Sequence, residues 1–311
     1  MVKLHLSQSW KIGALALLIA GCSGDSGTAP LPPGPEPVAS VDVAPTTGAL
    51  YAARAVQLAA TVKDRAGRTL TDRTVAWSSS NSNAVSVTSA GVATAQAFGS
   101  STISAAVEGV SGSATVSVLH DPVVFVHGFQ SSASIWTTMT DRLKADGWTD
   151  APLVTWTYDS NQSNTAIAQI LQTKVDSLLM ATGAAKVDVI AHSMGGLSSR
   201  YYAKSLAGSE KIDAFVALAT PNHGTTVANF CSVQSCLEMR PGSGFLTALN
   251  AGDETPGSPR YATWWTPCDQ VTTPPESVIL SGAANTQTSC LQHFELYTDV
   301  TVYQQVRDWI R

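Results

Sequence analysis

The chain has 311 residues, enough for two domains, and carries a net charge of −5. An acidic chain without a lysine or arginine cluster has no electrostatic attraction for nucleic acid, so we expect no nucleic-acid partner. Hydrophobic residues make up 44% of the chain, which can build substantial cores, and the low charged fraction of 13% suits an exported protein.

Residues 1–21 have the pattern of an export signal. A start with two lysines leads into the apolar run Ile12–Ala20, which is too short to cross a bilayer. The next residues resemble a bacterial lipobox, and this resemblance implies that Cys22 is acylated, becomes the mature N-terminus and anchors the protein at a membrane face. Serine at position 23 implies outer-membrane sorting in a Gram-negative host. The alternative is a conventional signal cut near Gly21, with an incidental cysteine.

Residues 22–37 are rich in proline and glycine, which predicts an extended tether. Residues 38–119 show alternating apolar residues and frequent turn signals, the pattern of a small all-β sandwich. We expect Trp77 in its core and Gly91 at a hairpin. The run Trp-Ser-Ser-Ser-Asn at 77–81, with the later glycine, is similar to bacterial immunoglobulin-like domains of group 2. The segment has no cluster of catalytic residue types and is interpreted as a spacer.

In residues 120–311, predicted strands alternate with predicted helices. This alternation implies an α/β fold with a mostly parallel sheet covered by helices on both faces. The predicted elements are a strand at 122–129, a helix at Ile135–Asp146, a strand at Leu153–Tyr158, a helix at Thr165–Met180, a strand at Val187–Ala191 with a helix after it, and strands at Ile212–Ala219, Tyr261–Thr266 and Ser277–Ala284.

The run KVDVIAHSMGGLSSRYYAK at 186–204 is the most informative part of the chain. It predicts a buried strand that delivers Ser193 onto a sharp turn, from which Gly195 opens a helix. This is the nucleophile elbow Gly-x-Ser-x-Gly of α/β-hydrolases, with Ala191 at the first glycine position. Small residues are needed because bulkier side chains would collide where strand and helix cross. The alternative is an ordinary strand–turn–helix that carries the motif by chance.

A nucleophilic serine needs a base and an acid that orients the base. In this fold the serine comes first along the chain, the acid (Asp or Glu) second and the histidine third. Two histidines follow Ser193. His293 comes after the last predicted strand, where the fold places the base. His223 directly follows the strand after the elbow and is interpreted as a loop residue that shapes the site.

Asp269 is the predicted acid because it follows the aromatic-rich strand Tyr261–Thr266. Asp253 and Glu254 are rivals, but they lie in a loop rich in glycine and proline, with no strand before them. Glu295 lies too close to His293. These three rivals are interpreted as solvated loop charges.

Four cysteines follow Cys22, and an even number in an exported chain suggests disulfides with three possible pairings. If the acid and base loops meet at the serine, a Cys268–Cys290 bridge would join them. A Cys231–Cys236 bridge would then close a small loop. The alternative is a zinc site built from four thiolates, but no C-x-x-C pair is present, so no metal site is predicted.

An ester-cleaving serine also needs two backbone N–H groups that face the developing negative charge. The N–H of Met194, directly after the serine, is one candidate. Phe129, in the loop after the first strand of the α/β region, supplies the other, and His127 before it is interpreted as structural. Each step of this chemistry needs only protein groups, so no cofactor is expected.

The segment from Val123 to the end resembles the secreted bacterial triacylglycerol lipases of the class 2 type, which are small α/β-hydrolases. The matching motifs are FVHGF, AHSMGG, TPNHGT, PGSGFLTALNAGDETPG at 241–257, CDQV and CLQHFEL. The resemblance implies ester hydrolysis with Ser193, Asp269 and His293 as the triad. The family commonly has glutamate after the acid, where this chain has Gln270.

We therefore expect a lipase or carboxylesterase that acts on acylglycerols or related lipid esters through an acyl-enzyme. Besides Phe129 and Met194, Ile135 and Trp136 are expected near the acyl chain, and the insertion Thr225–Gly257 is a candidate for a small cap over the cleft. A lipid or small-ester substrate and a membrane, contacted through the anchor, are the expected partners. The alternatives are a hydrolase of a polymeric or cell-envelope ester and a catalytically inert surface adhesion protein.

Overall fold

The computed structural model describes residues 34–311. The predicted export signal, Cys22 and residues 22–33 of the predicted tether lie outside the described residues. Residues 34–39 have no regular secondary structure, and residues 38–311 form one compact unit. Within the described part of the chain, no helix is both long enough and apolar enough to cross a membrane.

The first part of this unit consists of nine strands. They are β1 (Ser40–Ala44), β2 (Thr47–Leu50), β3 (Ala55–Gln57), β4 (Ala59–Lys63), β5 (Ala76–Ser79), β6 (Val85–Val87), β7 (Val92–Ala95), β8 (Gly99–Val107) and β9 (Val110–Val118). Strand β1 pairs with β4, and two further sheets have the orders β2-β9-β8-β5 and β3-β7-β6. All pairs are antiparallel except β2 with β9.

These strands share one apolar core because their side chains alternate between buried and more exposed positions. In β8, Ile103, Ala105 and Val107 are buried, while the residues between them are more exposed. Trp77 of β5 is half-buried and packs against this core. Gly91 lies in the β6–β7 turn with a φ of 80°, and a Cβ there would lie 2.9 Å from the Trp77 ring, so the turn needs glycine.

The second part alternates strands and helices. Its strands are β10 (Val123–Val126), β11 (Leu153–Thr155), β12 (Val187–His192), β13 (Ile212–Leu218), β14 (Arg260–Trp265) and β15 (Ala284–Gln287). Its helices are α1 (Thr137–Ala145), α2 (Asn164–Thr182), α3 (Met194–Ser205), α4 (Gln234–Met239), α5 (Gly244–Asn250) and α6 (Val300–Trp309), with short 3₁₀ turns at Ala133–Trp136, Gly208–Glu210, Thr226–Phe230 and Pro275–Val278.

The six strands form one sheet in the order β11-β10-β12-β13-β14-β15, and every neighbouring pair is parallel. The predicted mostly parallel sheet is therefore confirmed. Its central strands are buried along their full length, because helices cover both faces. On one face α2 and α3 pack on Val189 and Ala191 of β12, and α4 and α5 contribute to the same core. On the other face α1 and α6 pack with Ile190.

Three predicted strands differ from the structure. The strand predicted at 122–129 is β10, which ends at Val126. The strand predicted at Ser277–Ala284 is a 3₁₀ turn at Pro275–Val278, followed by β15 at Ala284–Gln287. Pro274 and Pro275 cannot donate backbone hydrogen bonds to a sheet, and Gly282 turns the chain with a φ of 84°. Strand β11 ends at Thr155, three residues before the predicted end.

The all-β region contacts the α/β region through the side chain of Arg54 and through stacked aromatic and histidine rings. Arg54 donates hydrogen bonds to the carbonyls of Gly183 and Ala184 at the C-terminus of α2, at 2.8 and 3.1 Å. His120 stacks between Phe98 and Trp148, with ring centroids 3.8 and 3.9 Å away. Helix C-terminal carbonyls attract cations, so Arg54 is well placed to stabilise this contact.

Candidate active site

Ser193 lies at the sharp turn between β12 and α3. Its backbone has φ 53° and ψ −129°, a conformation that residues other than glycine rarely adopt. The close crossing of strand and helix explains the small residues after it. A Cβ on Gly195 would overlap the carbonyl oxygen of His127, and one on Gly196 would overlap the Thr220 hydroxyl. Sequence and backbone therefore agree on the elbow geometry.

His293 and Asp269 form a buried pair. Nδ1 of His293 lies 2.8 Å from Oδ2 and 3.0 Å from Oδ1 of Asp269, and both side chains are 1% exposed. Oδ1 also accepts hydrogen bonds from the backbone N–H groups of Val271 and Thr272, each at 2.8 Å. Because a carboxylate can only accept hydrogen bonds, Nδ1 of His293 must be the donor to Asp269. The neutral imidazole therefore carries its proton on Nδ1, and Nε2 is the basic nitrogen.

The acid and the base come from two loops at the same edge of the sheet. Asp269 follows β14 and His293 follows β15, and the Cys268–Cys290 disulfide joins the two loops. The second disulfide joins Cys231 to Cys236. Both pairings are those that the sequence predicts.

Ser193 and His293 line the same cavity, which has a volume of about 390 Å³. Its other walls include Phe129, Gln130 and Tyr297. Nε2 of His293 is buried and makes no hydrogen bond among residues 34–311. The arrangement therefore places a serine hydroxyl and a basic imidazole nitrogen at one solvent-accessible cleft.

The loop after β10 approaches the serine closely. A Cβ on Gly128 would lie 2.9 Å from the Cβ of Ser193, so the position needs glycine. Nδ1 of His127 donates to the carbonyl of Gly128 at 2.8 Å, and its Nε2 accepts from the backbone N–H of Tyr158 at 3.3 Å. Because the peptide is planar, fixing the Gly128 carbonyl also fixes the direction of the Phe129 N–H.

His127 suits this role because it is buried and neutral. Burial lowers the pKa of His127, despite the opposing effect of its hydrogen bond to Gly128. The ring stacks on Tyr158 at 3.9 Å, and the Tyr158 hydroxyl donates to the His127 carbonyl. The sequence interpretation of His127 as structural agrees with these contacts.

His192 is a residue that the sequence analysis did not assign. Its Nε2 donates to the backbone carbonyl of His293 at 3.1 Å, and the two rings lie 4.7 Å apart. Complete burial, and then the nearby His293, lower the pKa of His192 well below its usual value. In the sequence, only the position of His192 directly before Ser193 indicates a role at the site. The contact itself could not be predicted, because its partner lies in a loop 101 residues later.

Several other sequence candidates lie elsewhere. His223 pairs with Glu254 at 2.9 Å and is not in the wall of the cavity that Ser193 and His293 share. The carboxylate of Asp253 accepts from the N–H of Thr255, and that of Glu295 accepts from the N–H of Gln292. None of these three carboxylates hydrogen-bonds to His293.

Ile135 and Trp136, which were expected near the acyl chain, belong instead to the core under α1 and α6. Trp136 is fully buried against Phe125, at 5.2 Å between ring centroids. Within residues 34–311, no three histidine, cysteine, aspartate or glutamate side chains gather in a group that could hold a metal ion.

Ser193 also lines a second cavity, of about 230 Å³. Its walls are mainly apolar and come largely from the segment 225–239, which belongs to the insertion proposed as a cap. Met239, Ala228 and the Cys231–Cys236 disulfide are among them. The first part of this insertion therefore forms a wall of the cleft beside the serine.

A parallel sheet with helices on both faces, and a serine at positive φ between a central strand and a helix, define an α/β-hydrolase fold. Residues 120–310 match the family model described as lipase (class 2), and the chain belongs to this family.

Two curated relatives are similar over 126 residues, at 30% identity and 39% of this chain. They are a triacylglycerol lipase of Pseudarthrobacter phenanthrenivorans and one of Burkholderia plantarii, of which the match covers 38% and 34%. The chain thus spans little more than a third of the length of these relatives.

Two solved structures share the fold at 17% identity. The mature form of the Bacillus licheniformis lipase BlEst2 has a TM-score of 0.51, over 60% of this chain and 92% of that chain. Aspergillus fumigatus lipase B has a TM-score of 0.54, over 61% of this chain and 52% of that chain.

Proposed function

We propose that this chain is a serine ester hydrolase, a lipase or carboxylesterase that cleaves acylglycerols or related lipid esters. One observation carries the proposal: Ser193 shares a cavity with His293, whose Nδ1 is bonded to the buried carboxylate of Asp269. Membership of the class 2 lipase family and similarity to two triacylglycerol lipases support a carboxylic ester as substrate.

In this mechanism, Nε2 of His293 removes the proton from the Ser193 hydroxyl, whose oxygen attacks the ester carbonyl carbon. Asp269 keeps the proton on Nδ1 and stabilises the imidazolium that forms. His293 then protonates the leaving alcohol as the C–O bond breaks, which leaves an acyl-serine. Water, deprotonated by His293, attacks this acyl group and releases the acid.

The oxyanion of each tetrahedral intermediate accepts hydrogen bonds from the N–H groups of Met194 and Phe129. Met194 is the first residue of α3, so its N–H has no acceptor inside the helix. The Phe129 N–H is directed by the His127 contact to the preceding carbonyl. This assignment needs no cofactor.

A fluorophosphonate probe tests the nucleophile on the folded chain. We expect a covalent adduct on the Ser193 peptide, and loss of both the adduct and p-nitrophenyl ester hydrolysis in Ser193→Ala. The matched control is Ser205→Ala, an exposed serine at the end of the same helix, which should react like the wild type. Wild-type hydrolysis by Ser193→Ala would overturn the proposal, and a folded wild type that stays unlabelled would favour an inert adhesion protein.

We further propose that the all-β region at 38–119 is an immunoglobulin-like spacer domain of group 2. The run at 77–81 and Gly91 support this, because Trp77 packs over the turn that Gly91 makes. The arrangement would be a signal at 1–21, a tether at 22–37, this spacer, and a hydrolase domain at 120–311. Expression of residues 38–119 alone tests the boundary, and a cooperative unfolding transition would support an independent domain.

We also propose that the protein is exported and held at the cell envelope through acylated Cys22. The support lies in the sequence, since residues 1–33 are outside the described structure. Cys22→Ser should release the protein into the soluble fraction while Ser193 stays reactive. Continued membrane association of Cys22→Ser would refute the anchor.

A further inference from the structure

A single buried hydroxyl group binds the two loops that carry the acid and the base. We call residues 266–272, after β14, the acid loop and residues 288–293, after β15, the base loop. Thr266 begins the acid loop and is 0% exposed. Its Oγ1 donates to the backbone carbonyl of Leu291 at 2.8 Å and accepts from the N–H of Leu291 at 3.0 Å. The same oxygen accepts from the N–H of Cys268 at 3.2 Å, so it contacts both loops.

These contacts use the whole hydrogen-bonding capacity of the hydroxyl. A threonine hydroxyl has one hydrogen to donate and two lone pairs that accept. The carbonyl of Leu291 takes the hydrogen, with that of Ser289 as a second acceptor at 3.3 Å, and two N–H groups face the lone pairs. Polar groups without partners are costly, and a methyl group needs more space than a hydrogen-bonded oxygen. Loss of the Thr266 hydroxyl should therefore move the two loops apart.

The residues that Thr266 binds lie next to the proposed triad. In the acid loop, the N–H of Asp269 donates to the Thr266 carbonyl at 3.3 Å, so the acid and the threonine belong to one turn. In the base loop, Leu291 comes two residues before His293. Any movement of one loop against the other therefore acts on the bond between Asp269 and Nδ1 of His293, which is 2.8 Å long. Hydrogen bonds weaken steeply once they are bent.

Resting on the proposed function, we infer that Thr266 is a positioning residue for the hydrolytic reaction. Its hydroxyl fixes the acid loop against the base loop and thereby keeps Asp269 in contact with Nδ1 of His293. Thr266 lies in the wall of neither cavity beside Ser193, so it acts on the reaction through the two loops and not through the substrate. Its loss should therefore lower kcat and leave KM nearly unchanged.

The Cys268–Cys290 disulfide joins the same two loops, but it acts on different groups. The disulfide connects two side chains, whereas the hydroxyl of Thr266 binds the peptide groups themselves. Cys268 takes part in both links. Because interactions that share a partner are not additive, we expect each link to compensate in part for loss of the other.

Three variants test the role of the hydroxyl. Thr266→Val removes it and keeps the branched shape, and we expect kcat to fall by about ten- to a hundred-fold, because small displacements in a catalytic site have effects of that size. Thr266→Ser retains the hydroxyl and should restore most of kcat. The matched control is Thr263→Val, because Thr263 is also 0% exposed and its Oγ1 donates to Oδ1 of Asn285 at 2.8 Å, a contact between β14 and β15. This control should lower the unfolding temperature and leave kcat at the wild-type value.

Nuclear magnetic resonance gives a direct readout of the contact between acid and base. The proton on Nδ1 of His293 resonates far downfield while it is bonded to a carboxylate. This signal should move or broaden in Thr266→Val and stay in place in Thr266→Ser and Thr263→Val. In a chain that also carries Cys268→Ser and Cys290→Ser, Thr266→Val should reduce kcat by a larger factor than it does when the disulfide is present.

Wild-type kcat and an unmoved Nδ1 signal in Thr266→Val would overturn the inference. Equal losses of kcat in Thr266→Val and Thr263→Val, or in Thr266→Val and Thr266→Ser, would do so as well, because they would show a general structural role. Thermal unfolding shows whether each variant folds, and if Thr266→Val does not, Thr266→Ala makes the same test with more space between the loops. A folded wild type that neither hydrolyses p-nitrophenyl esters nor reacts with a fluorophosphonate would instead refute the proposed function itself.

Discussion

Nε2 of His192 donates a hydrogen bond to the backbone carbonyl of His293, at 3.1 Å. His192 is the residue directly before Ser193, so one side chain links the turn that carries the nucleophile to the loop that carries the base. Burial keeps His192 neutral, because its pKa lies well below the usual value. The distance between Ser193 and the His293 ring thus depends on a hydrogen bond that involves neither the serine hydroxyl nor the imidazole of the base.

Loss of the His192 donor should slow catalysis. His192→Leu leaves the buried His293 carbonyl without a partner, at a cost of about 1–3 kcal/mol, and we expect kcat to fall by about ten-fold or more. His192→Gln keeps a donor and should recover most of the rate. Equal kinetics in both variants would argue against a positioning role.

Replacing the acid should remove most of the rate without unfolding the chain. In Asp269→Asn the amide no longer enforces a proton on Nδ1 of His293, and comparable changes in serine triads lower kcat by about 10⁴-fold. Asp253→Asn is the matched control, because this rival acid lies in an exposed loop and asparagine keeps its acceptor for Thr255. Steady-state kinetics on one ester, with circular dichroism for folding, make the comparison. A large loss in Asp253→Asn would reassign the acid.

The two disulfides should differ in what they stabilise. Cys268→Ser with Cys290→Ser opens a link across 22 residues and should cost about 3 kcal/mol, against about 2 kcal/mol for the five-residue link of Cys231 and Cys236. Urea unfolding measures both. The first double variant should also lower kcat, because it frees the loops of Asp269 and His293, whereas the second should broaden the acyl-chain profile. Equal effects on kcat would contradict this division.

Asp121 should make the chain less stable as the pH rises. Burial, and then the charge of Asp213, raise the pKa of Asp121 to about 7, with Lys186 and Arg260 opposing them. The neighbouring Asp188 is fully buried, and its pKa is raised well above its usual value for the same reason. The folded state therefore holds more protons than the unfolded state between about pH 4 and pH 7, so the free energy of unfolding falls across this interval.

Asp121→Asn should reduce that fall. At about 1.4 kcal/mol per pKa unit, the contribution of this carboxyl is at most about 4 kcal/mol. Chemical unfolding at pH 5, 6, 7 and 8 measures the slope for wild type and variant. An unchanged slope would show that Asp121 ionises normally in the folded chain.

Short-range sequence patterns predicted the parallel sheet and the turn that carries Ser193. The alternating strands and helices of residues 120–311 predict the parallel sheet, because a strand buried on both faces must read as a continuous apolar run. The elbow at Ser193 follows from small residues whose Cβ atoms would overlap His127 and Thr220. The strand predicted at Ser277–Ala284 was wrong, because the apolar residues of a proline-rich loop have the same pattern as a short buried strand.

The sequence by itself determined the local chemistry of this protein: a strained serine between strand and helix, and a histidine and an acid after later strands. The tertiary structure alone decided which distant groups meet, including the His192 contact with His293 and the two cavities beside Ser193. It also showed that Trp136, which was expected near the acyl chain, is buried in a core. Periodicity records the faces of single elements, whereas a cavity is the space left between elements from distant parts of the chain, so its size depends on packing.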